Sequence, residues 1–260
     1  MTKKLILILF ISCLGLVSFY GCTKNELKTT QVDLLQSNEA QVKVMFASFY
    51  RSNPRIYIKV NEQLASSVLT TFTPFPGGGL NTGGGSTADY LRVGSGEVNF
   101  SVAVPKFGTN TDSLTLATAK HNITSAKKYS LYFADTGVNT TTVLVEDSLT
   151  APDSGFIRYK FVNLMPDVAA GLDLYIGTVK VASAIPYKGV SPSFTLPTNN
   201  PSTVWAIRTT GGTTNLVTYS NASTLSNQRV FTVIARGYNS ITSTSTAEPR
   251  RRLISLIYNQ

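Results

Sequence analysis

The sequence predicts an all-β protein, and three observations lead to this fold class. Apolar residues alternate with polar ones in many short runs, for example at Ile56, Ile58 and Val60, which is the period of half-buried strands. Clusters of Gly, Pro, Asn and Ser separate these runs, as expected of turns. After the first 21 residues no stretch keeps the apolar spacing of a helix. The pattern therefore favours β-sandwiches, with immunoglobulin-like (Ig-like) packing as the leading arrangement.

The N-terminus has the features of an export signal. Lys3 and Lys4 precede a mostly apolar run over residues 5–17, and the chain becomes polar after Gly21. A membrane-spanning helix needs about 20 apolar residues, so this run predicts a cleaved signal peptide at residues 1–21 rather than a membrane span.

Residues 18–22, Ser-Phe-Tyr-Gly-Cys, resemble a bacterial lipobox. The resemblance implies a lipid thioether-linked to Cys22, and hence a protein anchored to the outer membrane at the cell surface or on its periplasmic face. Since Cys13 leaves with the signal peptide, the mature domains then contain no free thiol. An ordinary signal peptide followed by a free Cys22 remains the alternative.

Beyond the signal, residues 22–40 have no convincing apolar period and are predicted to form a flexible tether. Two sandwich domains follow, at residues 41–150 and 151–260. Phe46 and the strand from Ile56 to Val60 have a weak echo in Phe161 and the strand from Leu172 to Ile176, at a domain-sized shift. One large sandwich remains the alternative to two tandem domains.

The second half carries a family resemblance. The segment Arg-Tyr-Lys-Phe-Val-Asn-Leu-Met-Pro-Asp at residues 158–167, then Leu-Asp-Leu-Tyr-Ile at residues 172–176, resembles the domain family of unknown function DUF4397. The similarity is good over residues 156–238 and loose over residues 41–135. It implies Ig-like sandwiches with no established activity. With the lipobox, the chain resembles the Bacteroidota-type surface lipoproteins that carry this domain in tandem.

Composition argues against most catalytic and metal chemistry. His121 is the single histidine, so a histidine-rich zinc site is excluded; we expect this residue in a solvated loop, and we predict no cofactor. Residues 77–85 contain six glycines but no phosphate-binding lysine follows them, which predicts a mobile insertion, with ligand contact as the alternative role. Trp205 shares a strand face with Ile207 and is expected in the core.

A few residues are candidates for modification or ligand contact. Ser113 and Ser148 each follow an aspartate and precede a leucine, a pattern similar to a bacterial O-glycosylation acceptor. Tyr187 is a candidate for stacking on a sugar, and the basic cluster before the last strand is a candidate for binding anionic headgroups or polysaccharide; its members are Arg250, Arg251 and Arg252.

The carboxylates of the chain give only weak support for catalysis. Asp167 with Asp173 could support glycoside hydrolysis, but Asp167 follows a proline and is better explained as a turn residue that bonds nearby backbone amides.

These observations together predict a non-enzymatic, membrane-anchored envelope protein. The net charge of +9 suits anionic partners, but export removes nucleic acid as a partner, so we expect a surface glycan or an envelope protein. The function classes that stay open are a binding or adhesion module, a surface carbohydrate-binding protein and, with less support, a hydrolase or its accessory.

Overall fold

The computed structural model of the chain describes residues 37–106, 108–109, 111–148 and 150–260. The predicted signal peptide, Cys22 and most of the predicted tether lie outside the described residues. The first strand begins at Glu39, two residues before the predicted start of the first domain. All described residues belong to one compact unit.

Nearly all regular elements of the described chain are β-strands, which confirms the predicted all-β class. Two short 3-10 helices, Gly137–Asn139 and Ala222–Leu225, are the helical elements of this part. None of the helices described is long and apolar enough to cross a membrane. The strands, in chain order, are β1 Glu39–Phe46, β2 Tyr57–Val60, β3 Gln63–Leu64, β4 Pro74–Phe75, β5 Gly79–Leu80, β6 Leu91–Gly94, β7 Gly96–Pro105, β8 Asp112–Ile123, β9 Lys128–Ala134, β10 Thr141–Asp147, β11 Phe156–Asn163, β12 Leu172–Ile176, β13 Val179–Ile185, β14 Phe194–Pro197, β15 Val204–Thr209, β16 Val217–Ser220, β17 Val230–Arg236 and β18 Leu253–Tyr258.

These strands form four sheets. The first inner sheet has the order β10-β9-β1-β4, with β6 also paired to β1, and the first outer sheet has the order β3-β2-β7-β8. The second inner sheet has the order β14-β11-β17-β18-β5, and the second outer sheet has the order β13-β12-β15-β16. Except for β5, strands up to Asp147 build the first pair of sheets and strands from Phe156 build the second pair.

The two pairs of sheets share one strand order. In the inner sheets, β1 lies parallel to β9 as β11 lies parallel to β17. In the outer sheets, β2 lies between β3 and β7 as β12 lies between β13 and β15, with all four pairings antiparallel. Position by position, β7 corresponds to β15, β8 to β16, β9 to β17 and β10 to β18.

Each half has its own apolar core between an inner and an outer sheet. Phe46, Phe100 and Phe133 are fully buried in the first core. The second core contains Trp205, which is fully buried and packs 5.0 Å from Tyr159 between ring centroids. This burial confirms the prediction that Trp205 is a core residue.

A third core lies between the two inner sheets. Met45 and Tyr132 of the first inner sheet cluster there with Val162, Ile234 and Ile257 of the second. Both faces of the inner sheets are therefore covered, and every residue of β17 is buried. Alternation in the sequence predicts one exposed face for these strands, because it cannot show that a second sheet covers that face.

The glycine-rich segment is anchored, which corrects the expectation of a mobile insertion. Its residues Gly79 and Leu80 form β5, which pairs with β18 and so extends the sheet of the opposite half. The side chain of Asn81 donates to the backbone oxygen of Ile254 at 2.6 Å. A Cβ at position 79 would lie 2.2 Å from the backbone oxygen of Leu256, so this close strand approach requires glycine.

We expect Gly79→Ala to detach β5 from β18 and lower the free energy of unfolding by about 1–3 kcal/mol, because the added methyl group overlaps the backbone of Leu256. Urea unfolding followed by circular dichroism measures this loss. Gly85→Ala is the matched control, since a Cβ at position 85 meets nothing within 4 Å. Equal stability of the two variants would show that β5 contributes little.

Candidate functional site

An open cleft of about 440 Å³ lies where loops of both halves meet. The loop after β1, the loop between β9 and β10 and the loop between β17 and β18 supply its walls. The residues lining it are Phe49, Tyr50, Arg51, Thr136, Gly137, Tyr238, Ser240, Ile241 and Arg250. We call it the loop-end cleft.

Aromatic packing fixes the floor of the loop-end cleft. Phe49 is buried and its ring lies 5.5 Å from that of Tyr238, edge to face, and 5.7 Å from that of Phe72. The ring of Tyr50 stacks 6.0 Å from that of Phe46 in the first core. Because these contacts reach both halves, the shape of the cleft depends on their association.

Hydrogen bonds orient the two tyrosines. The Tyr50 hydroxyl accepts a bond of 3.1 Å from the backbone N–H of Gly137. The Tyr238 hydroxyl donates to Asp135 Oδ1 at 2.9 Å, and the Asp135 carboxylate also accepts from the backbone N–H of Thr136. The polar ends of both rings are thus held by the loop between β9 and β10.

Two arginines give the cleft its charge. The guanidinium of Arg250 bonds both carboxylate oxygens of Glu248 at 2.8 Å, and this pairing, with a further contribution from Arg51, lowers the pKa of Glu248 to about 2. Arg51 is exposed at the cleft. Its guanidinium is the more accessible of the two for a ligand.

Asp167 determines the position of one cleft wall. Its carboxylate accepts bonds of 2.6 and 2.8 Å from the backbone N–H groups of Asn239 and Ser240. Asp167 bonds backbone amides as predicted, but these amides belong to the distant loop between β17 and β18 rather than to a nearby turn. Asp173 is buried elsewhere and bonds Lys180 and the backbone N–H of Ala184, each at 2.7 Å. Both carboxylates thus hold structure.

The predicted arginine cluster divides between two clefts. Arg250 lines the loop-end cleft, whereas Arg251 and Arg252 line a second cleft of about 380 Å³ beside β16. Arg252 donates to the backbone oxygens of Asn239 and Leu216, and Arg251 donates to that of Thr246. These bonds use the guanidinium groups to hold loops, so the three arginines do not form one basic surface.

Tyr187 belongs to the same group of loops. It is half-buried, and burial, followed by the nearby Asp135 and Tyr238, raises its pKa above the ordinary value. Its hydroxyl is buried without a hydrogen-bond partner among the described residues. Tyr187 therefore has its polar end turned away from solvent, and it does not line the loop-end cleft.

The two candidate glycosylation serines differ in access. Ser113 is exposed on β8. Ser148 is half-buried, donates to the backbone oxygen of Thr150 at 3.1 Å and accepts from Arg158 at 2.8 Å. Glycosylation of either stays a prediction, and Ser113 is the more accessible site.

His121 lies in strand β8, so the expectation of a loop position is wrong. It is half-buried, its Nε2 atom lies 3.0 Å from Thr142 Oγ1, and burial lowers its pKa. Within the described residues, no group of three or more His, Cys, Asp and Glu side chains is placed to hold a metal ion.

Sequence reasoning missed most of the loop-end cleft. Phe49, Tyr50 and Arg51 form an aromatic and basic triplet shortly after β1, which is a signal that sequence inspection can use. Tyr238 has no such signal, since only the fold brings it to the first half.

The family model described as domain of unknown function DUF4397 matches residues 40–170. The chain belongs to the DUF4397 family. The match covers the first half and the beginning of the second, whereas the sequence signature was strongest over residues 156–238. No curated protein matches the chain.

Proposed function

We propose that this DUF4397 protein is a lipid-anchored lipoprotein of the cell envelope that binds a surface glycan without catalysing a reaction. The loop-end cleft carries this proposal, because it combines the aromatic rings of Tyr50 and Tyr238 with an accessible guanidinium from Arg51. Rings stack on the apolar faces of sugars, and guanidinium groups donate to their oxygens. An envelope protein as the ligand is the alternative.

Two further features support a binding module over a hydrolase. Asp167 and Asp173 both serve as acceptors for backbone N–H groups and point to different places. The acidic group nearest the cleft arginines, Glu248, is held ionised by Arg250. A hydrolase of sugars needs a protonated acid beside a second carboxylate, and no such pair lines the described loop-end cleft.

We further propose that the chain carries two tandem copies of the family domain. The shared strand order of the two pairs of sheets supports this assignment, with the copies at residues 41–150 and 151–260. The glycine-rich insertion of the first copy then links the copies by adding β5 to the sheet of the second.

For Arg51→Ala we expect binding to acidic or neutral surface glycans to weaken by about tenfold, as truncation of a well-placed arginine typically costs more than 1 kcal/mol. A glycan array with the segment starting at residue 37 identifies the ligand, and calorimetry measures the change. Arg55→Ala removes an exposed arginine that does not line the cleft and should bind like the native chain. Binding lost equally in both variants, or no glycan bound, argues against the proposal.

Lipidation of Cys22 is the proposed means of attachment. We expect Cys22→Ala to move the protein from the membrane to the soluble fraction, because acyl chains contribute about 0.8 kcal/mol per buried methylene. Sedimentation of cell membranes with immunodetection measures the distribution, and Cys13→Ala is the matched control within the signal. Unchanged sedimentation of Cys22→Ala would contradict the anchor.

A specific observation favours a second function, assembly into a structural or adhesive layer. Strand β8 is a sheet edge of 12 residues, most of them not buried, and the side chain of Leu114 is 58% exposed. Long exposed edges of this kind template pairing with another strand.

If β8 mediates assembly, the native protein forms concentration-dependent oligomers and Leu114→Lys converts them to monomers, since a charged side chain on an edge strand opposes pairing. Light scattering coupled to size exclusion measures the mass. Val179→Lys places the same charge on an exposed residue of edge strand β13 and should leave the oligomers intact. A native protein that stays monomeric at all concentrations excludes this second function.

A further inference from the structure

The central strands of the two inner sheets run between two opposite ends of the molecule. In the first sheet β1 lies parallel to β9, and in the second β11 lies parallel to β17. The loop-end cleft is built from loops that follow β1, β9 and β17, so it lies where these strands end. We call the opposite end, where they begin, the strand-start end. Since β1 has 8 residues at about 3.3 Å each, the two ends are roughly 23 Å apart.

The chain enters the described fold at the strand-start end. Asn38, directly before β1, accepts a bond of 2.8 Å on its backbone oxygen from Ser95. The backbone N–H of Gln41 donates to the oxygen of Lys127, directly before β9, at 2.9 Å. Everything that precedes residue 37, including the proposed lipid site Cys22, therefore joins the fold at the end opposite the loop-end cleft.

Four cationic side chains lie at the strand-start end. They belong to the first residues of β9 and β11 and to the residue before β17, and within the described residues none of them has an ion pair with a carboxylate. Two of them lie over aromatic rings, Lys128 at 5.3 Å from the ring centre of Tyr90 and Arg229 at 5.5 Å from that of Tyr258. A cation in such a contact keeps its charge and its hydrogen-bond donors. The four are Lys128, Arg158, Lys160 and Arg229.

Arg158 and Lys160 line an open cleft of about 330 Å³ at this end. The Nη1 atom of Arg158 donates to Ser148 Oγ at 2.8 Å and also contacts Thr150, whereas its Nε and Nη2 atoms have no partner among the described residues. The amine of Lys160 donates to the backbone oxygen of Glu146 at 2.5 Å. The cleft therefore offers two cations and unused guanidinium donors to an anionic oxygen.

Partners neutralise most of the carboxylates at the strand-start end. Glu146 pairs with Lys127 at 2.7 Å, and Glu39 pairs with Arg92 at 2.6 Å. Asp147 also lines the small cleft, but it is buried, and its two oxygens accept bonds from three side chains. The unpaired charge that this end presents is therefore mainly positive.

An aromatic side chain is exposed beside these cations. Phe156, the first residue of β11, is 43% exposed. Its backbone oxygen accepts from Gln228, the residue before Arg229. Asp153, in the turn before Phe156, is an exposed acidic side chain without an ion pair among the described residues. An exposed ring flanked by basic residues is typical of protein surfaces that rest on lipid headgroups.

We propose that the strand-start end rests on anionic lipid headgroups, so that the loop-end cleft points away from the membrane. This rests on the proposed anchor, because the lipid at Cys22 brings this end to a membrane. Headgroup phosphates bond to Arg158 and Lys160, and the ring of Phe156 enters the boundary between headgroups and acyl chains. Each basic residue near such a surface raises the affinity about fivefold. Four of them give weak, reversible contact, which orients the protein without replacing the anchor.

Vesicle flotation of a chain starting at residue 23 tests the surface apart from the anchor. This chain keeps every described residue and lacks the predicted signal peptide and Cys22. At low ionic strength we expect it to float with vesicles containing phosphatidylglycerol and to remain unbound with pure phosphatidylcholine, because the attraction is electrostatic. Equal flotation with both kinds of vesicle, or with neither, overturns the proposal.

Fluorophores on single cysteines identify the end that touches the vesicle. The chain starting at residue 23 has no cysteine of its own. Ser154→Cys places the label beside Phe156, and Val138→Cys places it on a fully exposed residue after β9, at the cleft end. We expect an environment-sensitive label to shift its emission to the blue at position 154 and not at position 138. Any other pattern overturns the proposed orientation.

A charge variant tests the role of the cations. Arg229→Gln is expected to weaken flotation with phosphatidylglycerol vesicles about fivefold in a chain whose circular dichroism is native. Arg55→Gln is the matched control, since it makes the same change of charge at an exposed arginine in the loop between β1 and β2. Equal weakening by both variants would reveal an effect of net charge alone and contradict the assigned surface.

A salt wash separates failure of the surface from failure of the anchor. High salt screens the contact with headgroups but does not release an acyl chain. Cell membranes that keep Cys22→Ala after this wash contradict the anchor, whatever the vesicles show. Absence of flotation contradicts the surface, whether or not Cys22 is lipidated.

Discussion

The packing of the two inner sheets against each other is the constraint on which the rest of the structure depends. It buries a second face of strands that the sequence shows as half-polar, and it brings loops from both halves to one end of the molecule. The loop-end cleft exists only because Phe49 and Tyr238, from different halves, are in contact there. Substitutions that separate the two inner sheets would therefore remove the cleft even if every residue that lines it were kept.

The same packing explains the polar residues of the interior. Arg236 lies at the end of β17, fully enclosed, with its guanidinium 3.9 Å from the ring centre of Phe72 and bonded to Ser255. Burial lowers its pKa to about 9. Lys43 and Asp147 are enclosed in the same layer. Polar groups in such a layer favour the alignment of the two sheets that gives them hydrogen-bond partners, such as Ser255 for Arg236.

Much of the architecture follows from the sequence, and the parts that do not have a common cause. The period-two runs identify the strands, and the shared face of Trp205 and Ile207 identifies a core. Alternation carries no information about which sheets stack, so the burial of Lys43, Ser130 and Thr232 was not predictable. The roles of Tyr238 and Asp167 at the cleft also depend on how the sheets stack, so the sequence did not reveal them. Arg250 was a candidate for ligand binding from its charge alone. The anchoring of residues 77–85 depends on a partner strand that begins more than 170 residues later.

The pairing of β5 with β18 has a consequence for how the chain folds. The contact of Leu80 with Leu256 and that of Lys43 with Tyr258 can form only after the second residue of each pair has been synthesised. Contacts this distant in sequence close large loops late and slow the search for the native state. Synthesis of the first half alone therefore leaves an unpaired strand and an uncovered apolar sheet face, and productive folding needs β18 to have emerged from the ribosome.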